Sequence, residues 1–143
     1  MEDQTWKADP LLGVTDPETV MIDCDNMPFR VVKKFALIVM DKYRLGGFII
    51  LRSSKNHYHV VFDRCVSWDD NMSAVGWFSV LSHNPEVKDY LVMQCIKKAP
   101  TLRVVPTKEK PAPRLVYRFG CQDHAVKAFL RYRQLIKRIH RSI

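Results

Sequence analysis

Two aspartates separated by one residue, Asp23 and Asp25, close a short β-rich run, ETVMIDCD (18–25). Side chains alternate between faces along a strand, so both carboxylates point the same way, about 6–7 Å apart. Like charges at that distance repel unless something neutralises them. A hard divalent cation with oxygen ligands, Mg²⁺ or Mn²⁺, does so. Taken alone, D-x-D is a weak signal, and the pair is more readily read as two exposed acids at a strand end, with Asp25 opening the turn Asn26-Met27-Pro28. A second constellation is Ser54-Lys55-Asn56-His57-Tyr58-His59. On a strand over 57–63, His57 and His59 share one face, while Tyr58, Val60 and Phe62 share the other and enter the core. Ser54, Lys55 and Asn56 form the preceding turn and can donate hydrogen bonds to a phosphate. If the two strands adjoin, Asp23, Asp25 and His59 converge on one open patch of sheet. Such a polar group costs stability unless it binds something.

The elements that must position these residues follow from periodicity. Residues 1–17, with Pro10, Gly13 and Pro17, read as an irregular arm, and 18–143 as one α/β domain. After the strand 18–25, apolar residues Val32, Phe35, Ala36, Val39, Met40 and Tyr43 recur at helical spacing over 28–44, and Leu45-Gly46-Gly47 ends that helix. GFIILRSS (47–54) reads as a strand buried on both faces at its start. Helices follow over 68–82 and 86–98, separated by Asn84-Pro85. TLRVVPT (101–107) and RLVYRFG (114–120) read as a hairpin around KEKPAP, and 122–142 as a basic helix. That helix carries an apolar stripe of Val126, Phe129, Ile136, Ile139 and Ile143, with Arg131, Gln134, Arg138 and Arg141 on another face. The order β-α-β-β-α-(α)-β matches an α+β, RRM-like or ferredoxin-like arrangement. It implies one antiparallel sheet with helices on one side and the first and third strands at its centre.

Charge separates the chain into two parts. Residues 1–26 hold seven acids and one base, a net of −6; the remainder holds 22 bases and eight acids, a net of +14. A strongly basic body fits a polyanionic partner. No apolar run reaches the ~20 residues of a membrane span, and the acidic N-terminus lacks the layout of a signal peptide. The expectation is a cytoplasmic protein, nuclear in a eukaryotic host, with no membrane partner. Cys24, Cys65, Cys95 and Cys121 form no C-x-x-C pair and are expected to be buried thiols.

Met21-Ile22-Asp23-Cys24-Asp25 resembles the hydrophobic-hydrophobic-D-x-D motif of the archaeo-eukaryotic primase superfamily. Ser54 to His59, followed by the apolar Val60-Val61-Phe62, resembles that superfamily's second motif, in which a serine precedes a strand histidine by five residues. The resemblance covers residues 18–63 well and 84–120 loosely. It implies metal-dependent nucleotidyl transfer in DNA replication, with Asp23 and Asp25 as ligands of Mg²⁺ or Mn²⁺. His59 would contact the incoming nucleotide's phosphates, assisted by Ser54, Lys55 and His57. The third motif's acid would be Asp89, a further metal ligand, although Asp89 follows Lys88 where the family has a hydrophobic residue; Glu86 is the alternative. Arg103 would be the family's strand arginine. Implied partners are a single-stranded DNA template, nucleoside triphosphates and other replication proteins. Arg131, Lys137, Arg138 and Arg141 of the last helix would hold the template backbone.

Two other classes remain. His57-Tyr58-His59 also fits the His-hydrophobic-His motif of rolling-circle replication nickases. There a helical tyrosine, Tyr132 or else Tyr90, would attack a phosphodiester. The third class is a non-catalytic nucleic-acid-binding accessory subunit.

Overall fold

The computed structural model describes residues 13–98 and 100–141. Its elements are β1 (Gly13–Thr15), β2 (Met21–Asp25), α1 (Phe29–Tyr43), β3 (Gly47–Ser54), β4 (His57–Phe62), α2 (Trp68–Ser82), α3 (Pro85–Lys97), β5 (Thr101–Arg103), β6 (Arg114–Gly120) and α4 (Ala125–Arg141). Among the described residues these form an α+β fold with a four-stranded sheet, β2-β4-β3-β6, and a two-stranded sheet, β1-β5. Every pairing is antiparallel.

Local chemistry sets the helix ends. The Ser67 hydroxyl accepts from the Asp70 N–H at 3.2 Å, and Asp69 and Asp70 place negative charge in the first turn of α2. Asn84 caps α3 by accepting from the Glu86 N–H at 2.9 Å, with Pro85 in the first turn. α1 stops at Arg44, which adopts the left-handed conformation (φ 55°).

The sheet is covered on both sides. Ile22, Cys24, Val60, Phe62, Phe48 and Ile50 are buried on one face, where Phe29 of α1 packs on Tyr58 at 5.8 Å between ring centroids. Met21, Val61, Ile49 and Leu51, on the other face, are buried as well. α4 contacts β4 and β1, and its Val126, Phe129 and Ile136 join the same core. Burying each such side chain contributes about 1.5–3 kcal/mol.

Several expectations are corrected. Helices on one side of an open sheet do not describe this molecule, because Met21, Ile49, Leu51 and Val61 on the second face are buried. β2 does pair with β4, but it is an edge strand of its sheet rather than a central one. α3 shields that edge: the Tyr90 hydroxyl donates to the Met21 carbonyl at 2.7 Å and the Asn84 amide to the Asp25 carbonyl at 2.8 Å. β5 and β6 are not a hairpin; β5 pairs with β1 and β6 with β3. Pro106, Pro111 and Pro113 lie between them and supply no backbone N–H for mutual pairing. Gly13–Thr15, expected in an irregular arm, is a strand, while residues 1–12 and Ile143 lie outside the described residues. Only Cys24 is buried; Cys65, Cys95 and Cys121 are exposed. Ile139, expected in the packed stripe of α4, is 49% exposed. No helix among the described residues is long and apolar enough to cross a membrane.

Gly47 sits where β3 meets the chain leaving β6. A Cβ there would lie 2.2 Å from the Cys121 carbonyl oxygen and 2.6 Å from that of Phe119. Both are backbone atoms, so the strands would have to separate. Gly76, inside α2, meets only the Leu91 Cδ2 at 3.7 Å, an ordinary contact. In urea denaturation, Gly47→Ala is therefore expected to destabilise by about 2 kcal/mol or more. Gly76→Ala is expected to stabilise by about 0.5–1 kcal/mol through helix propensity. Equal effects from the two would contradict this packing.

Candidate metal and nucleotide site

The register of β2 against β4 creates the site. Asp23 stands opposite His59, and Asp25 opposite His57. Side chains directly across a ladder lie on the same face, so all four polar groups share one side of the sheet. The apolar partners Ile22↔Val60 and Cys24↔Tyr58 point the other way and fix this register by burial. His57 Nδ1 is 2.7 Å from Asp25 Oδ1, a hydrogen bond. His59 Nε2 is 3.5 Å from Asp23 Oδ1.

The polar end of this face opens into a cleft of about 220 Å³. Asp23, Asp25 and His59 line it together with Ser53, Thr101, Arg103, Lys97 and Lys110. Five elements thus contribute besides β2 and β4: β1 through Gly13, the end of β3, the last turn of α3, β5 and the loop before β6. Arg103 is held in place by its own guanidinium, whose Nη1 donates to the Val105 carbonyl and to the Pro111 carbonyl at 3.0 Å. Those bonds tie the Lys110 loop to β5.

Electrostatics in the cleft are unusual. Burial, and then the charge of Asp25, raise the Asp23 carboxyl to about 7 despite the opposing pull of Lys110, His57 and Arg103. Burial, followed by Arg103, lowers His59 to about 4, so its ring is neutral near pH 7. His59 Nδ1 is buried and has no hydrogen-bond partner. A half-buried acid repelled by a neighbouring acid, beside an unsatisfied ring nitrogen, is an arrangement that a cation and an anionic ligand would relieve.

The other residues singled out from the sequence fall as follows. Ser54 and Lys55 lie at the β3–β4 turn, and neither lines the cleft. Ser53 lines it instead, because β3 bulges there: Arg52 pairs with Tyr58 and Ser54 with His57, leaving Ser53 as the extra residue. Asp89 is exposed on α3 and does not line the cleft. Glu86 receives a hydrogen bond from the Asn26 amide. Asp23 and Asp25 are the only acids among the described residues lining the cleft. Tyr90 is buried against the Met21 carbonyl, and Tyr132 lines a different surface, the groove along α4. Arg131 and Arg138 line that same groove with Gln122, Lys127 and Gln134, and Arg141 is exposed at the end of α4. Partial burial, then the charges of Arg133 and Arg141, lower the Lys137 ammonium below its usual value.

Sequence reasoning missed Lys97, Lys110, Thr101 and Ser53. The first two are ordinary solvated lysines by pattern, and only tertiary folding brings them to the acids. No protein-family model, curated protein or solved structure matches this chain.

The raised Asp23 acid and the lowered His59 base act oppositely on stability. Asp23 binds its proton more tightly folded than unfolded, so its contribution is complete below about pH 4 and is lost as pH rises toward 7. His59 contributes above about 6.5 and loses that contribution as pH falls toward 4. In chelator-containing buffer, Asp23→Asn should therefore gain thermal stability relative to the parent as pH rises from 4 to 7. A gain of about 5 °C, level above pH 8, is the expected scale for a group that is partly solvated. A melting-temperature difference that does not change over that range would contradict the burial of this carboxyl.

Proposed function

We propose that this chain is a metal-dependent nucleotidyltransferase of primase or polymerase type, acting in nucleic-acid replication through the β2–β4 cleft. One observation carries the reading. Two same-face carboxylates and a neutral, unsatisfied histidine share a cleft with three cationic side chains, Lys97, Arg103 and Lys110. Carboxylates suit Mg²⁺ or Mn²⁺, and the bases suit a polyphosphate. The pairing of β2 with β4 also supports the RRM-like core that the primase resemblance implies.

Asp23 and Asp25 would hold the ion, which when bound supplies charge neutralisation and polarisation of phosphate oxygens. In the transfer, a 3′-hydroxyl gives up its proton to solvent and attacks the α-phosphorus of a nucleoside triphosphate, while the bond to the β-phosphate breaks and pyrophosphate leaves. Lys97, Arg103 and Lys110 bind the triphosphate and stabilise the charge that builds on the departing pyrophosphate. His59, held neutral, donates a ring N–H to a phosphate oxygen. His57 fixes the orientation of Asp25 through their 2.7 Å hydrogen bond. Along α4, Arg131, Lys137, Arg138 and Arg141 bind the template backbone by charge, so affinity falls steeply with salt.

A specific observation also favours a non-catalytic relative: among the described residues two acids line the cleft where the primase pattern uses three, and Asp89 lies outside it. Such a protein would bind nucleotide without joining it. The nickase reading needs a tyrosine at the metal, and none lines the cleft among the described residues.

The deciding assay supplies Mn²⁺, labelled nucleoside triphosphates and a single-stranded DNA template. An active enzyme makes labelled oligomers. Asp23→Asn with Asp25→Asn should reduce synthesis by at least about 10³-fold. Lys110→Ala or Arg103→Ala should raise the nucleotide KM about tenfold or more. Nucleotide binding without synthesis would identify the accessory form, and a denaturation-resistant protein–DNA adduct would identify a nickase. Synthesis that survives the double aspartate change would rule out the metal assignment.

A further inference from the structure

A second group of ligand-type side chains stands at the other end of β4 from His57. Asp63 directly follows β4, and Asp123 and His124 directly precede α4. One ligand atom of each lies within 4.8 Å of the others. Asp63 is fully buried, at 0% exposure. Its Oδ1 accepts from the backbone N–H groups of His124 at 2.9 Å and Val126 at 3.2 Å, which anchors the first turn of α4. Its Oδ2 has no hydrogen-bond partner and lies 3.8 Å from His124 Nδ1. Helix capping explains the first oxygen and leaves the second without a purpose, at the price of a buried, unsatisfied carboxylate oxygen.

The same cluster already gathers positive charge. The Arg64 guanidinium touches His124 Nδ1 and sits 3.0 Å from His124 Nε2 and 3.6 Å from Asp123. His124 Nδ1 is also 2.8 Å from Asp123 Oδ1. Arginine only donates and an ionised carboxylate only accepts, so one ring nitrogen cannot satisfy both.

We propose that Asp63, Asp123 and His124 form a second cation site, selective for a borderline divalent transition metal of the Zn²⁺ class, which clasps the end of β4 to the start of α4. One imidazole nitrogen with two carboxylate oxygens is a donor set that Zn²⁺ or Co²⁺ accepts, whereas Mg²⁺ favours oxygen and water. Asp123 and His124 are exposed, so the ion has access and water completes its shell. Arg64 holds the cation's place in the metal-free state and turns outward on binding. His59 lies within β4 and Asp63 directly follows its end, four residues on and roughly 13 Å away along extended chain, so the clasp and the cleft are separate sites. The clasp stands whether or not the cleft handles nucleotides.

The test uses the untagged full chain, stripped with chelator, carrying Asp23→Asn and Asp25→Asn so that the cleft does not compete. Co²⁺ titration followed by visible absorption should show one equivalent bound, displaced by Zn²⁺. His124→Gln should weaken binding at least tenfold. Arg64→Gln, which removes the competing cation, should tighten it several-fold. Asp63→Asn keeps an acceptor for the α4 backbone but loses the charge, and should lose Co²⁺ while folding; if it fails to fold, the exposed His124 carries the test. Absence of stoichiometric Co²⁺ binding, or binding that His124→Gln and Arg64→Gln leave unchanged, would overturn the proposal.

Discussion

The pairing of β2 with β4 in one register governs everything else. Asp23 faces His59 and Asp25 faces His57 only because Ile22 and Cys24 must be buried opposite Val60 and Tyr58. A slip of one residue would send both carboxylates into the apolar layer beneath α1, at a cost no local rearrangement would recover. The apolar half of each strand thus specifies where the polar half stands. The polar half in turn pays in stability, since Asp23 is forced toward its neutral form and His59 away from its charged one.

The surrounding elements explain why this polar patch is a cleft and not an exposed sheet. The face that carries the acids is buried at Met21, Ile49, Leu51 and Val61, and its polar end lines the cleft. β1 and β5 form a small second sheet beside it, which sets Thr101 and Arg103 at the rim. α3 serves twice. It protects the outer edge of β2 through Tyr90 and Asn84, and its last turn brings Lys97 to the cleft. Acids therefore come from the sheet and bases from its periphery, the charge layout on which the proposed metal–polyphosphate binding rests.

Much of this was legible in the sequence, for physical reasons. Alternation in 57–63 and the D-x-D spacing at the end of 18–25 identify the shared face, and the helical spacing in 28–44 identifies α1. Ser53 was not legible, because a bulge depends on how two strands meet and leaves no pattern in one of them. Lys97 and Lys110 were not legible because their role arises from long-range folding alone. The hairpin expectation for 101–120 failed because two short apolar runs near each other in sequence need not pair. A third strand, β1, competes for β5, and the edge of β3 competes for β6. Asp63 looked like the end of a strand, and only the arrival of α4 shows that it anchors a helix.

The central claim is that the cleft holds a divalent ion and a nucleotide's phosphates together. Paramagnetic broadening by Mn²⁺ tests it most directly, by NMR on isotope-labelled protein with a nucleoside triphosphate present. The account requires substoichiometric Mn²⁺ to erase the amide signals of residues 23–25, 57–59 and 103 first, and only when the triphosphate is bound in the cleft. If those signals persist while the ion broadens others, Asp23 and Asp25 do not bind the metal and the nucleotidyltransferase reading falls.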